Sequence, residues 1–220
     1  MKLKNILLAL LIGVLISVEV PAQEAGMTQK ETRNMAFGQM SEAKQKQVIA
    51  MLKKIYKEAK GKAEKSIRKN GSMIPYGYAA NNQGDGQFLH IDPEQKMKAE
   101  VAAHAIQKSI LTNAVRGQLA ASAIFLTMGL PEGLEEETRK KLESSIKGDR
   151  ELGDVRFLMV ELQHLGGLGL LMTVPYWESD EGKWVFGKPV SQQVPPELQK
   201  SVQRILRKAA QQKRSQGGDS

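Results

Sequence analysis

Between Ser41 and Asn70 apolar side chains recur every three or four positions. Val48, Leu52, Ile55, Ala59 and Ile67 fall on one side, and Lys and Glu fill most of the others. That period predicts an amphipathic helix. Asn70-Gly71 supplies its left-handed C-terminal cap, and Gly61, about 1 kcal/mol worse than Ala inside a helix, marks a place where it can break. Met73 to Ala80 and Gln87 to Ile91 are short apolar and aromatic runs around the turn formers Asn81 to Gly86, which predicts a β-hairpin. Pro75 donates no hydrogen bond, so the first strand is expected at an edge or bulged there. Asp92-Pro93-Glu94-Gln95 carries the residues that favour a helix start. The helix it opens is expected to reach about Leu111, with Val101, Ala102, Ala105, Ile106 and Ser109 on one side. Gln118 to Met128 reads as a buried strand. Glu135, Glu136 and Glu137, each four residues ahead of Arg139, Lys140 and Lys141, predict a short charged surface helix or a partly ordered insertion.

Asp154 to Pro189 alternates in the manner of three antiparallel strands, with turns at Gly166-Gly167 and at Glu178 to Gly182. A two-residue loop at Gly166-Gly167 would pair Leu162 with Leu171 and Val160 with Thr173. Leu158, Val160 and Leu162 would then share a face with Leu171 and Thr173, and Phe157, Met159, Val174 and Tyr176 would lie opposite. Glu161, Gln163 and His164 gather near the turn, so the sheet is expected to be covered on both sides only at its other end. Pro195-Pro196-Glu197 opens a basic amphipathic helix with Leu198, Val202, Ile205 and Ala209 on one face, followed by a disordered tail over 211–220. Helices and strands in this order, without βαβ alternation, predict an α+β fold. Its mainly antiparallel sheet would hold a hairpin, a buried strand and a three-stranded meander, packed with two or three helices.

Composition narrows this picture. The chain has 220 residues, 41% of them hydrophobic, which suits one domain, placed at 41–210. Ahead of it, Lys2 and Lys4 precede the apolar run Ile6 to Val18, and Val20-Pro21-Ala22 places small residues before a cut. These are the parts of a secretory signal peptide over 1–22, with a flexible lead-in over 23–40. The mature chain is expected to begin at Gln23 and to work outside the cytoplasm, periplasmic or secreted, without stable membrane insertion after cleavage. There is no cysteine, so disulfides, zinc-thiolate sites and thiol catalysis are excluded. The net charge of +8 favours acidic partners in general. The basic residues have no aromatic platform among them, which argues against nucleic acid as a partner.

The candidate chemistry is sparse. His90, His104 and His164, the three histidines of the chain, fall on a strand, a helix and a hairpin, with no spaced ligand pair. No catalytic residue, metal site or cofactor is assigned. The sequence Gly166-Gly167-Leu168-Gly169 is followed by a strand rather than a helix, so it is a turn and not a phosphate loop. Glu161, Gln163 and His164 form a candidate polar cluster in which Glu161 and Gln163 share a face and His164 points away. Tyr176, Trp177 and Trp184 form a candidate interaction surface beside the turn Glu178 to Gly182. The two indoles either stack across that hairpin or anchor a partner. The expected function is a non-enzymatic protein- or peptide-binding module, with an extracytoplasmic hydrolase or metal-dependent enzyme using His164 as the alternative.

Glu161, Leu162, Gln163, His164 and Gly167, then Pro175-Tyr176 and Val185-Phe186-Gly187, resemble a motif set in a group of small uncharacterised bacterial α+β proteins. There a Glu/Gln-His-x-x-Gly hairpin ends in Pro-Tyr, and an earlier strand carries Pro-Phe/Tyr-Gly, here Pro75-Tyr76-Gly77. The resemblance covers about Val48 to Pro189 and implies an α+β fold with no catalytic assignment. The chain departs from that pattern at Leu165-Gly166, where a polar turn residue is usual, and in the charged insertion Glu132 to Glu151.

Overall fold

The computed structural model describes residues 37–92, 97–130, 134–146 and 150–216. The expected signal peptide and most of the lead-in therefore lie outside the described residues. Helix α1 (Glu42–Asn70) is followed by strands β1 (Tyr76–Ala80) and β2 (Gly86–His90), helix α2 (Ala99–Val115), strand β3 (Ala121–Met128) and helix α3 (Glu136–Ser145). Strands β4 (Arg156–His164), β5 (Leu168–Glu178), β6 (Trp184–Phe186) and β7 (Val190–Val194) then precede helix α4 (Glu197–Gln216). The fold is α+β. One antiparallel sheet runs β2-β1-β3-β4-β5-β6, and β7 lies against the other half of the β5 edge.

Helix α1 covers one face of this sheet. Its buried residues Val48, Leu52, Ile55, Ala59, Ala63 and Ile67 follow the predicted stripe and pack on Tyr76, Tyr78, Phe125, Leu158, Val160 and Val174. Ser41 Oγ accepts from the Lys44 N–H at 3.5 Å at the helix start, and Gly71 at φ 69° closes its end. No break occurs at Gly61, which is exposed within a continuous helix. The other face carries two apolar clusters. One joins α2 and α4 to Ala79 and Ile124. The other is built on Leu142 of α3 together with Phe157, Met159, Leu171 and Trp177.

Several elements differ from expectation for identifiable reasons. Strand β1 is interior, between β2 and β3, and Pro75 lies just before it, so its missing donor never enters the ladder. The described part of α2 begins at Ala99, after non-helical Met97 and Lys98, and ends at Val115. The expected capping residues 93–96 lie outside the described residues. Its buried side is Ala102, Ala103, Ile106, Ile110, Ala114 and Val115, while Val101 is 53% exposed. A helix start is held chiefly by packing, which begins only at Ala102. In α3, Arg139 pairs forward with Glu143 rather than back to Glu135, because Glu135 is the non-helical residue before the first turn.

The β4–β5 register also shifts by one residue. His164 faces Leu168 across the three-residue loop Leu165-Gly166-Gly167, and Val160 faces Met172. A two-residue type I′ turn needs positive φ at both central positions, and of these two glycines only Gly167 has it, at 84°. Each side chain of β5 therefore changes face relative to β4. Leu170, Met172 and Val174 join Leu158, Val160 and Leu162, while Leu171 and Thr173 lie with Phe157, Met159, Glu161 and Gln163. Both faces are covered at the turn end as well, where Gln163 and His164 are buried. Within the expected lead-in, Phe37–Gln39 form a 3-10 turn and Met40 is buried. Helix α4 continues through residues 211–216, which were expected in the tail.

Candidate functional site

Tyr176, Trp177 and Trp184 do not form one exposed aromatic surface. Trp177 pairs with Val185, and Trp184 with Glu178, so the two indoles lie on opposite faces of the hairpin and cannot stack. Trp177, 6% exposed, lies in the cluster with Leu142 and Phe157. Tyr176 is fully buried on the α1 side, its ring centroid 5.7 Å from that of Trp184. Trp184 is half-buried over the end of α1, where Arg68 Nη1 donates to its carbonyl at 2.8 Å and the Arg156 guanidinium lies 5.9 Å from its ring. These residues close the core and α1.

The polar cluster is divided by the sheet. Gln163 Nε2 donates to Glu161 Oε1 at 2.8 Å and to the Pro195 carbonyl at 3.3 Å. Gly169 permits this approach, since a Cβ there would stand 2.7 Å from the Val194 carbonyl and 3.1 Å from Gln163 Nε2. Burial raises the Glu161 carboxyl above its usual range; the Gln163 hydrogen bond opposes the shift and the Glu197 charge adds to it. The Gln163 Oε1 atom is buried with no donor among the described residues. His164 is on the α1 face beside Met40, and its Nδ1 accepts from the Gly166 N–H at 2.8 Å. Burial lowers its pKa to about 4. This arrangement holds a His164 that is neutral at neutral pH on one face, and on the other a Glu161 carboxyl that burial shifts towards its protonated form. Proton transfer between them has no direct path, and the turn already uses Nδ1. Among the described residues no three His, Cys, Asp or Glu side chains gather in a way that could hold a metal ion.

The accessible chemistry lies instead at β2. This strand pairs only with β1 among the described residues, in a regular five-residue register from Tyr76 opposite His90 to Ala80 opposite Gly86. Natural edge strands are usually protected by charge, proline, bulges or a covering element. Gly-Gln-Phe-Leu-His has none of the sequence devices, and four of its five residues are exposed. The opposite edge is shared by two short strands, and α3 reaches it where Thr138 Oγ1 donates to Gln192 Oε1 at 3.4 Å.

An aromatic shelf borders the free edge of β2. Phe88, 38% exposed, stacks on His90 with centroids 5.7 Å apart and planes 9° from parallel, and meets Tyr78 edge-on at 5.0 Å. From α1, Lys62 places its Nζ 4.5 Å from the Phe88 ring centroid and donates to His90 Nε2 at 2.7 Å. Burial, and then the Lys62 charge, lower the His90 pKa, so the ring is a neutral acceptor. Ile74, which precedes β1, and Met97 and Val101, which follow β2 in the sequence, are exposed. At the turn end a cleft of about 450 Å³ opens between Asn81, Asp85, Gln87, Asn113 and Gln118.

The sequence signal for Phe88 and His90 was only their alternation on a short strand. Lys62 carried none, because its meeting with β2 joins residues separated by 28 positions. No family model matches the chain, and comparison with curated proteins and with solved structures returns no match.

Proposed function

We propose that this chain is an exported, non-enzymatic module that binds an extended segment of a partner protein along the free edge of β2. The single observation behind this reading is an exposed, bulge-free edge strand beside the Phe88–His90 shelf. Main-chain hydrogen bonds to an added strand would supply affinity. Apolar side chains on Phe88 would supply selectivity. Export is supported by Lys2, Lys4, the run Ile6 to Val18 and Val20-Pro21-Ala22. Among the described residues, no helix is long and apolar enough to cross a membrane.

The test uses protein recovered from an extracytoplasmic fraction, with an intact mass that starts at Gln23 as the first expected result. Fluorescent peptides of alternating Val and Thr are titrated against it and against Phe88→Lys, which puts a second cation beside Lys62 on the edge and gives up the Tyr78 and His90 ring contacts. The expected result is binding that Phe88→Lys abolishes while the variant, though less stable, stays folded by circular dichroism. Equal binding by both proteins contradicts the reading. So does a concentration-dependent dimer that excludes the peptides, because the edge would then be occupied by a second copy.

A further inference from the structure

Lys62 brings to the open edge of β2 a charge that the chain does not neutralise there. Its side chain leaves α1 and crosses Tyr76, with Nζ 5.6 Å from that ring centroid, to end at β2, 4.5 Å from the Phe88 centroid and 2.7 Å from His90 Nε2. Glu58, one turn earlier and in the orientation that favours a helical ion pair, does not hold it. Glu58 Oε2 accepts from the Tyr78 hydroxyl at 2.7 Å, its Oε1 lies 3.8 Å from Lys54 Nζ, and Glu64 pairs with Lys60 at 2.9 Å. Among the described residues no carboxylate forms an ion pair with Lys62. An ammonium has three N–H donors, and His90 Nε2 takes one of them.

Strand alternation decides which side chains of an added strand would meet this charge. Phe88 and His90 point to the α1 face of the sheet, where both rings meet Tyr76, whereas Leu89 points to the other face and packs with the α2 cluster. Residues of an added strand directly opposite Phe88 and His90 therefore stand on the Lys62 side, with Cβ atoms about 5 Å from theirs. A carboxylate opposite His90 meets the remaining N–H donors without displacing the bond to the ring. A Lys or Arg there sets like charges side by side, and an apolar side chain covers donors that it cannot pair. The net charge of +8 attracts any acidic ligand wherever it binds, while Lys62 acts at one position of the register.

We infer, on the reading that β2 takes up an added strand, that the bound segment carries an Asp or Glu opposite His90, paired with Lys62. The same purified protein is titrated with three alternating Val and Thr peptides that differ only at a central Thr, replaced by Glu, Gln or Lys, at low and high salt. The Glu peptide should bind about threefold more tightly than the Gln peptide and the Lys peptide about threefold more weakly, the range of an exposed ion pair. Both differences should shrink in high salt. Lys62→Gln should bring the three affinities together and Lys62→Glu should reverse their order, with the circular dichroism of both variants retained. A Glu preference that persists unchanged in Lys62→Gln overturns the inference, because the overall charge of the chain then accounts for it. Equal binding of the three peptides by the parent overturns it while leaving the added strand in place. Binding of none of them removes the added strand itself, and the inference with it.

Discussion

His164 and Glu161 are both shifted by burial, and their effects on stability run in opposite directions with pH. The folded protein holds the His164 pKa down to about 4, against the ordinary histidine value of about 6.5. The stability linked to His164 is therefore complete above about pH 6.5 and is lost as pH falls towards 4, because the unfolded chain takes up a proton that the folded one refuses. The loss is about 3 kcal/mol. His164→Asn places an amide oxygen where Nδ1 accepts from the Gly166 N–H and removes the titration. Urea midpoints followed from pH 7 to 4 should fall for the parent and less steeply for this variant; equal slopes would contradict the assignment. For Glu161 the folded pKa is raised, so its contribution is complete below the ordinary carboxylate range and is lost as pH rises through the raised value. Glu161→Gln should be more stable than the parent at pH 7, and that advantage should vanish in acid. A variant less stable at pH 7 would show that the carboxylate is held charged. That Glu161 and Gln163 share a face was readable from β alternation. Their burial was not, because it depends on β7 and the Pro195 carbonyl arriving more than thirty residues later in the chain.

Among the elements, α1 was the most legible, since a stripe of apolar residues at helical spacing and a terminal Asn-Gly need no distant partner to be recognised. Its two glycines should respond in opposite ways. Gly61 is exposed, and a Cβ there meets nothing within 4 Å, so Gly61→Ala should stabilise the protein by about 1 kcal/mol. At Gly71, φ is 69° and a Cβ would stand 2.7 Å from Trp184 Cζ2. Gly71→Ala should therefore destabilise by about 1–3 kcal/mol. Denaturant titration of the pair checks both signs, and a stabilising Gly71→Ala would mean that α1 does not end as described. The β4–β5 hairpin was legible as a hairpin but not in its register, which turned on whether one or both glycines are left-handed. Strand β7 was missed because Val190–Val194 carries only two apolar residues, too few to stand out from a loop before its partner β5 is known. Helix α4 was placed at its start by Pro195-Pro196-Glu197. Its length was misjudged because the polar residues after Ala210 resemble a tail when read locally.

At the scale of the whole molecule, the α+β class followed from the order of helices and strands, while the strand order did not. Nothing local shows that β1 lies between β2 and β3, and Pro75 pointed to the opposite arrangement. Edge status is set by that order, so the exposed strand lies at β2, while near the Glu178 to Gly182 turn Tyr176 and Trp177 are core and Trp184 is half-buried against it. The account rests on the outer edge of β2 being open in the free protein and closed by an added strand. Hydrogen–deuterium exchange over Gly86 to His90, with and without a bound alternating peptide, measures this directly. The account predicts fast exchange of the outward-facing β2 amides in the free monomer and their protection on binding, with the β4 and β5 amides slow throughout. Slow exchange along β2 in the free monomer, or peptide-induced protection confined to another element, would contradict it.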